Sequence, residues 1–204
     1  MKDVYRLFRF GLAGLRALVA ATLVLGVVYP ATVFGIGRLV APWQADGSLL
    51  TATGEHTTDP ADAVGSALLG QVVDDDALFQ PRPSAAGDGY DPLSTAGSNR
   101  GPNAPELVQD IEDRRAEVAE REGVDPSEVP PDAVTASSSG LDPDISVAYA
   151  NLQVPRVAAA NDLTETEVQR LVEDHTSGRT AGVLGERRVN VLQLNIDVRR
   201  LAGS

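Results

Sequence analysis

Residues 17–37 read ALVAATLVLGVVYPATVFGIG, and no side chain among them is charged. A helix rises about 1.5 Å per residue, so this stretch would be about 31 Å long, which matches the hydrocarbon thickness of a bilayer. A core helix of a soluble protein carries a polar face, and this stretch has none. The sequence therefore predicts one transmembrane helix over residues 17–37, surrounded by the lipid of the cell membrane.

The charges on either side of this stretch predict its orientation. Residues 1–16 carry four basic side chains and one acidic side chain, whereas the four charges that follow Arg38 are acidic. The positive-inside rule then predicts a cytoplasmic tail over residues 1–16 and an extracytoplasmic domain over residues 41–204. A cleaved signal peptide is the alternative. We favour an uncleaved anchor, because the apolar run is longer than the hydrophobic region of a signal and lacks an Ala-x-Ala exit.

Small residues recur on one face of the predicted helix. Ala13, Ala17 and Ala21 are spaced by four residues, which allows another membrane helix to approach closely. The alternative is that alanine is simply common in such helices. Pro30 lies within the span and removes one backbone donor, a loss that membrane helices tolerate when neighbouring groups compensate for it.

The composition excludes several classes of site. The chain has no cysteine, which excludes thiol catalysis and cysteine-type zinc sites. The two histidines, His56 and His175, lie far apart without the spacing of metal ligands, so we expect no metal site. No G-x-x-x-x-G-K segment and no Rossmann fingerprint are present, so the sequence predicts no directly bound cofactor.

The predicted domain is strongly acidic. Residues 41–204 carry twelve basic and 28 acidic side chains, a net charge of −16. Such a domain repels nucleic acid and attracts cations. The acidity is either a cation-attracting surface or an adaptation to a salt-rich medium, in which salt screens the repulsion. We favour the second, because the acidic residues are spread along the domain.

Hydrophobic patterning predicts an α+β domain with a small sheet and flanking helices. The apolar run VGSALLGQVV at 64–73 has the length and the flanking turn residues of a buried strand. Apolar residues alternate from Leu194 to Val198 within RVNVLQLNIDV at 188–198. This alternation predicts a second, half-buried strand at the end of the chain.

Local signals predict the ends of several helices. Asn103 and Thr164 are each followed three residues later by glutamate, which is the spacing of a capping box. Gly123 is expected to end the first of these helices. Asp142 before Pro143 predicts a further helix start.

Two irregular segments are candidates for contacts with partner proteins. The first, residues 79–105, is rich in proline and glycine and is too long for a simple connection. Its Phe79, Arg82 and Tyr90 are residue types that anchor protein interfaces. The second reads VTASSSGLDPDIS at 134–146. Its candidate contact residues are Ser137, Ser138, Ser139 and Gly140.

The serine run also suggests two alternative functions for comparison. A tethered serine hydrolase would use Ser139 with His175 as its base and an aspartate. The sequence lacks a G-x-S-x-G elbow, and it has no lysine nearby to activate a serine. We therefore predict no catalytic residues and expect the hydroxyls to cap neighbouring backbone groups. A stand-alone cation-buffering surface protein is the other alternative.

A series of motifs runs along nearly the whole chain. They are VYP at 28–30, PWQADGSL at 42–49, GSALLGQ at 65–71, RPSA at 82–85, GSN at 97–99, VTASSSGLDPDIS at 134–146, VPRVAAAN at 154–161 and HTSGRTAGVLGERRVNVLQLN at 175–195. This series resembles the C subunit of the Kdp-type potassium-transporting ATPase, an ATP-driven, high-affinity potassium uptake complex. The chain departs from the family at Val72, where asparagine is frequent, and at Ala96, where glycine is frequent. No role of that asparagine is carried over.

The resemblance implies a non-catalytic subunit with one membrane helix and an extracytoplasmic domain. Our hypothesis is that this domain caps the outer potassium entrance and uses the two irregular segments as contact surfaces. It implies three protein partners: a channel-like potassium-translocating subunit, a P-type ATPase catalytic subunit and a small single-helix subunit. It also implies a catalytic chaperone that raises the affinity of the ATPase subunit for ATP. Since the domain is predicted outside and ATP is inside, this effect would pass through the membrane helix or through one state of the complex.

Overall fold

A computed structural model of the chain describes residues 2–203, which divide into two compact units between Gly47 and Ser48. The α-helices are α1 (Lys2–Leu23), α2 (Tyr29–Val40), α3 (Pro42–Ala45), α4 (Pro105–Glu122), α5 (Pro131–Val134), α6 (Val147–Ala160), α7 (Glu165–Asp174) and α8 (Val191–Ala202). The strands are β1 (Leu49–Thr51), β2 (His56–Thr57), β3 (Ala63–Ser66), β4 (Asp144–Ser146), β5 (Thr176–Ser177) and β6 (Arg188–Asn190). A π-helical segment spans Val24–Val28, and a 3₁₀ turn spans Pro126–Glu128.

The first unit is dominated by one long helical run, in which the π-helical segment joins α1 to α2. The run Asp3–Val40 has a mean hydropathy of 2.1 over its most apolar 18 residues, and it is long and apolar enough to cross a membrane. The predicted span over residues 17–37 lies inside this run. The unit thus supplies one candidate transmembrane helix.

The π-helical segment ends two residues before Pro30, and it explains how the helix continues through a proline. Proline lacks an N–H group and crowds the preceding turn. Here the N–H of Tyr29 reaches back five residues to the carbonyl of Val24. The hydroxyl of Thr32 donates to the carbonyl of Val28 at 2.8 Å. Such local widening keeps backbone groups paired where no water is available.

The second unit is an α+β domain with two small antiparallel sheets, where the sequence predicted one. The strand orders are β2-β1-β3 and β4-β6-β5. The strands are short, so helices α4 to α8 and the irregular chain after β3 supply most of the apolar core. The largest fully buried apolar side chains include Phe79, Ile145, Tyr149, Val157, Val168, Val189 and Leu194.

Two helix ends that the sequence predicts are confirmed. Helix α4 ends at Gly123, whose φ of 68° is the left-handed conformation that glycine adopts at low cost. The capping box before α7 is present in both directions. The N–H of Glu167 donates to Thr164 Oγ1 at 3.2 Å, and the N–H of Thr164 donates to Glu167 Oε2 at 2.9 Å.

The other two predicted helix starts are wrong. Ala104 precedes α4 without a side-chain cap, and Pro105 occupies the first turn, so Asn103 is not the cap. The carboxylate of Asp142 accepts from the N–H of Asp144 at 3.1 Å and leads the chain into β4. Helix α6 starts afterwards, where Ser146 Oγ accepts from the N–H of Tyr149 at 3.0 Å.

Both predicted strands are shorter than expected. The run at 64–73 leaves β3 after Ser66, because the next residues turn so that the N–H of Gly70 donates to the carbonyl of Leu141 at 2.8 Å. A Cβ at Gly70 would lie 2.5 Å from the carbonyl oxygen of Asp142, so this close approach requires glycine.

The run at 188–198 is β6 followed by α8, so only its first three residues form a strand. Leu194 and Val198 share one buried face of α8, while Ile196 is buried on another side. A Cβ on Gly54 would lie 3.6 Å from Ile196, so the β1–β2 turn covers that side. Because α8 is buried on two sides, its apolar residues alternate along the sequence as those of a strand do.

Replacing Thr164 with alanine tests the confirmed capping box. We expect the free energy of unfolding of the full chain in detergent to fall by about 1 kcal/mol, since an orphan N–H loses its acceptor. The melting temperature should fall by about 2–4 °C. Thr166→Ala is the matched control, because Thr166 is an exposed residue of the same helix. Equal melting temperatures for the two variants would contradict the capping role.

Candidate functional site

The two segments predicted to be contact loops pack against each other. The hydroxyl of Ser84 donates to the carbonyl of Gly140 at 2.7 Å. The N–H of Ser137 donates to the carbonyl of Pro83 at 3.1 Å. The segments therefore form one joint surface, although they are separated by more than forty residues of sequence. We call it the paired-loop surface, and it consists of residues 82–90 and 135–142.

An ion pair and the hydroxyl of Tyr90 hold the paired-loop surface together. Arg82 Nη1 donates to Asp142 Oδ2 at 2.8 Å, and Nη2 donates to the carbonyl of Thr135 at 3.4 Å. The hydroxyl of Tyr90 donates to the carbonyl of Arg82. Burial raises the pKa of the Tyr90 hydroxyl well above its ordinary value, so it stays a neutral donor. Arg82 Nε is buried, and it finds no partner within residues 2–203.

Gly140 is the point of closest approach between the two loops. Its φ is +71°, and a Cβ there would lie 2.6 Å from Ala86 Cβ, 2.7 Å from the Ala86 nitrogen and 2.8 Å from the carbonyl oxygen of Ala96. Gly97 approaches the same loop, since a Cβ on it would lie 2.9 Å from the carbonyl oxygen of Ser138. Neither position has room for a side chain, so the close approach of the two loops requires glycine at both.

The predicted contact residues differ in their exposure. Phe79 is 0% exposed and lies in the core, which leaves its side chain no surface for a partner. Ser137 is buried, Ser138 and Ser139 are exposed, and Arg82 and Tyr90 are half-buried. Contact with a partner stays a prediction for the residues that reach the surface.

Sequence reasoning missed two buried amides that hold the start of the first loop. Asn195 Oδ1 accepts from the N–H of Phe79 at 2.8 Å, and its Nδ2 donates to the Phe79 carbonyl at 2.9 Å. Gln153 clamps Gln80 in the same way, at 2.7 and 3.2 Å. The available signal was an amide within an apolar run, such as Asn195 between two aliphatic residues.

A cleft of about 260 Å³ opens beside the paired-loop surface. It is lined in part by the side chains of Arg82, Arg114, Arg121, Tyr90 and Tyr149. Its guanidinium groups are already engaged: Arg121 pairs with the fully buried carboxylate of Glu122 at 2.9 Å and donates to the Tyr149 hydroxyl at 2.9 Å. The arginines are therefore committed to the packing of the domain.

The hydrolase alternative lacks a nucleophile–base pair. Ser139 Oγ lies 3.2 Å from Ser137 Oγ and accepts from the N–H of Leu141 at 3.1 Å. His175 Nε2 lies 2.8 Å from Asp197 Oδ2, and no hydrogen bond in the described part of the chain joins His175 to a serine. The histidine and the carboxylate of a triad are adjacent, but no serine completes it.

The remaining predicted features lie as follows. Ala13, Ala17 and Ala21 are exposed residues of α1, so their role as a partner-helix face stays a prediction. His56 lies in β2, away in sequence from His175 at the end of α7. Across residues 2–203, no group of three or more His, Cys, Asp or Glu side chains is arranged to hold a metal ion.

Comparison with known proteins identifies the family. Residues 12–200 match the family model of KdpC, described as the K⁺-transporting ATPase, c chain. The potassium-transporting ATPase KdpC subunit of Kineococcus radiotolerans is 50% identical over 196 residues, which cover 96% of each chain. This chain belongs to the KdpC family.

Further KdpC relatives match with similar coverage. The KdpC subunit of Herpetosiphon aurantiacus is 47% identical over 186 residues, with 89% of this chain and 91% of the relative covered. That of Mycobacterium tuberculosis is 45% identical over 192 residues, with 93% and 97% covered. Family membership confirms the resemblance seen in the motifs. The protein is therefore a KdpC-type subunit of a potassium-transporting ATPase.

Replacing Gly140 with alanine tests the close approach of the two loops. The added methyl group would clash with Ala86 and Ala96, and the left-handed backbone would be strained. We expect the free energy of unfolding of the full chain to fall by at least about 2 kcal/mol, measured by melting in detergent. Gly101→Ala is the matched control, because a Cβ on Gly101 meets nothing within 4 Å. Equal melting temperatures would contradict the account.

Proposed function

We propose that the protein is a non-catalytic, membrane-anchored subunit of a high-affinity potassium uptake complex, whose domain from Ser48 onward lies outside the cell. The apolar run and its flanking charges support this orientation. Four basic side chains precede the span within residues 1–16, and the domain beyond it carries the net negative charge. The subunit crosses the membrane once, with its N-terminus in the cytoplasm.

The helix and the domain would contact different parts of the complex. The face of Ala13, Ala17 and Ala21 packs on the channel-like potassium-translocating subunit, since small side chains allow close helix approach. The paired-loop surface contacts the outer side of the same subunit and caps its potassium entrance. Its preorganisation by Gly140 and by the Arg82–Asp142 pair supports this role, since a fixed surface loses little entropy on binding. The P-type ATPase catalytic subunit and a small single-helix subunit complete the assembly.

The proposed effect on ATP is indirect. The subunit acts as a catalytic chaperone that raises the affinity of the ATPase subunit for ATP, and it holds no nucleotide itself. The sequence contains no phosphate-cradling motif, and the proposed topology keeps the domain and ATP on opposite sides of the membrane. Coupling then requires that the subunit stabilises the state of the complex that binds ATP more tightly.

The observation that carries this proposal is the family match over residues 12–200, which includes both the apolar helix and the domain. The match therefore covers both parts that the proposed function requires, the membrane anchor and the α+β domain. An accessory role agrees with the bonding of Ser139 and His175, which engage different partners.

Growth in scarce potassium tests the proposal and the hydrolase alternative together. Deleting the gene should abolish growth in scarce potassium and leave growth in plentiful potassium intact. Wild-type protein and His175→Ala should restore growth equally, with membrane levels measured by immunoblot, because His175 bonds Asp197 and lies outside the paired-loop surface. A chain that lacks residues 1–40 is the negative control. Unchanged growth after deletion would contradict the subunit role, and failure of His175→Ala at normal membrane level would favour the hydrolase.

A further inference from the structure

The connection between β5 and β6 is much longer than the fold requires. The two strands pair antiparallel, with Thr176 opposite Val189 and Ser177 opposite Arg188. Such hairpins are usually closed by about 2–5 residues. Here residues 178–187 intervene, and all of them are exposed. The buried Val189 anchors the hairpin in the core, while the ten connecting residues contribute nothing to that core.

The tip of this connection is a closed turn that displays two aliphatic side chains. The N–H of Thr180 donates to the carbonyl of Leu184 at 2.9 Å, and the N–H of Leu184 donates back to Thr180 at 3.0 Å. These bonds hold the turn between the two residues, and Gly182 within it has a φ of 77°. Val183 is 74% exposed and Leu184 is 64% exposed. Because the turn is preorganised, ordering it on binding costs little entropy.

The same connection is basic in an acidic domain. Residues 178–188 carry three arginines and one glutamate, a net charge of +2, whereas residues 41–204 together carry −16. Arg188 Nε pairs with Asp144 at 2.8 Å. Arg179 and Arg187 are exposed, and neither forms an ion pair with any residue between 2 and 203. Two free cations therefore flank the apolar tip.

We infer that the turn Thr180–Leu184 is a docking element that inserts Val183 and Leu184 into an apolar pocket rimmed by carboxylates on another subunit of the complex. Exposed aliphatic side chains supply contact area, and the flanking arginines supply charge complementarity. The inference rests on the proposed function in one respect, namely that the chain is a subunit of a complex. It adds a second contact, distinct from the paired-loop surface.

A protein partner fits this turn better than a lipid surface does. Segments that lie at a membrane interface use tryptophan and tyrosine as anchors, and residues 178–188 contain neither. Two adjacent aliphatic side chains suit a small pocket, whereas a membrane-binding segment needs a broad apolar face. Arginine is also enriched at protein interfaces. A lipid surface is therefore an outcome of the test and not part of the inference.

Co-purification of the whole complex tests the inference. The full chain is expressed with its partner subunits, the ATPase subunit carries an affinity tag, and retention of the chain is measured in mild detergent over a range of salt concentrations. We expect Val183→Ser/Leu184→Ser to weaken retention at least about tenfold, because two apolar contacts are lost. Arg179→Gln/Arg187→Gln should weaken retention at low salt and flatten its salt dependence. Leu68→Ser is the matched control, because Leu68 is 61% exposed and lies outside the turn and both candidate contact segments.

The outcomes separate the inference from the proposed function. If the wild-type chain and both turn variants are retained equally, the turn is not a docking element while the subunit role stands. If the wild-type chain itself is not retained, the proposed function fails and the inference fails with it. Normal retention of the variants, combined with lost binding to protein-free vesicles of anionic phospholipid, would assign the turn to a membrane surface and overturn the inference.

Discussion

Side-chain amides hold the long irregular segment between β3 and α4, and the rest of the domain depends on them. Buried backbone groups must be paired, and strands of two to four residues pair few of them. Amide side chains take over this role. Besides the clamps from Gln153 and Asn195, Asn161 Nδ2 donates to the carbonyl of Ala77 at 2.7 Å, and Asn190 Nδ2 donates to that of Ala67 at 2.9 Å. Helix α6 with its C-terminal cap, helix α8 and β6 thus hold a segment that has no strand or helix of its own.

This arrangement connects the core to the surface. Once Phe79 and Gln80 are fixed, the following residues run directly into Arg82 and the paired-loop surface. The position of that surface is therefore set by buried polar contacts. An unpaired amide or backbone group in the core costs about 1–3 kcal/mol, so each clamp also specifies one arrangement of the chain. A rigid contact surface can in this way be built from residues without regular secondary structure.

The features that were predicted correctly from the sequence are those determined by interactions between neighbouring residues. The uncharged run at 17–37, the end of α4 at Gly123 and the capping box at Thr164 each depend on neighbours within a few residues. The errors lie where distant contacts decide. Alternation at 188–198 suggested a strand, because the first sheet covers a second side of α8 near Ile196. Phe79 was expected at the surface, but Asn195, more than a hundred residues away, fixes it in the core. The contact between the two candidate loops could not be predicted from the sequence either, because it depends on the folded arrangement of distant segments.

The central claim is that the chain crosses the membrane once, with its domain outside the cell. The natural chain contains no cysteine, so a single introduced thiol reports its own location. Leu93→Cys and Asp3→Cys would each be treated with a membrane-impermeant maleimide in intact cells and again after permeabilisation. The account predicts that the thiol at position 93 reacts in intact cells and that the thiol at position 3 reacts only after permeabilisation. The reverse pattern would contradict it.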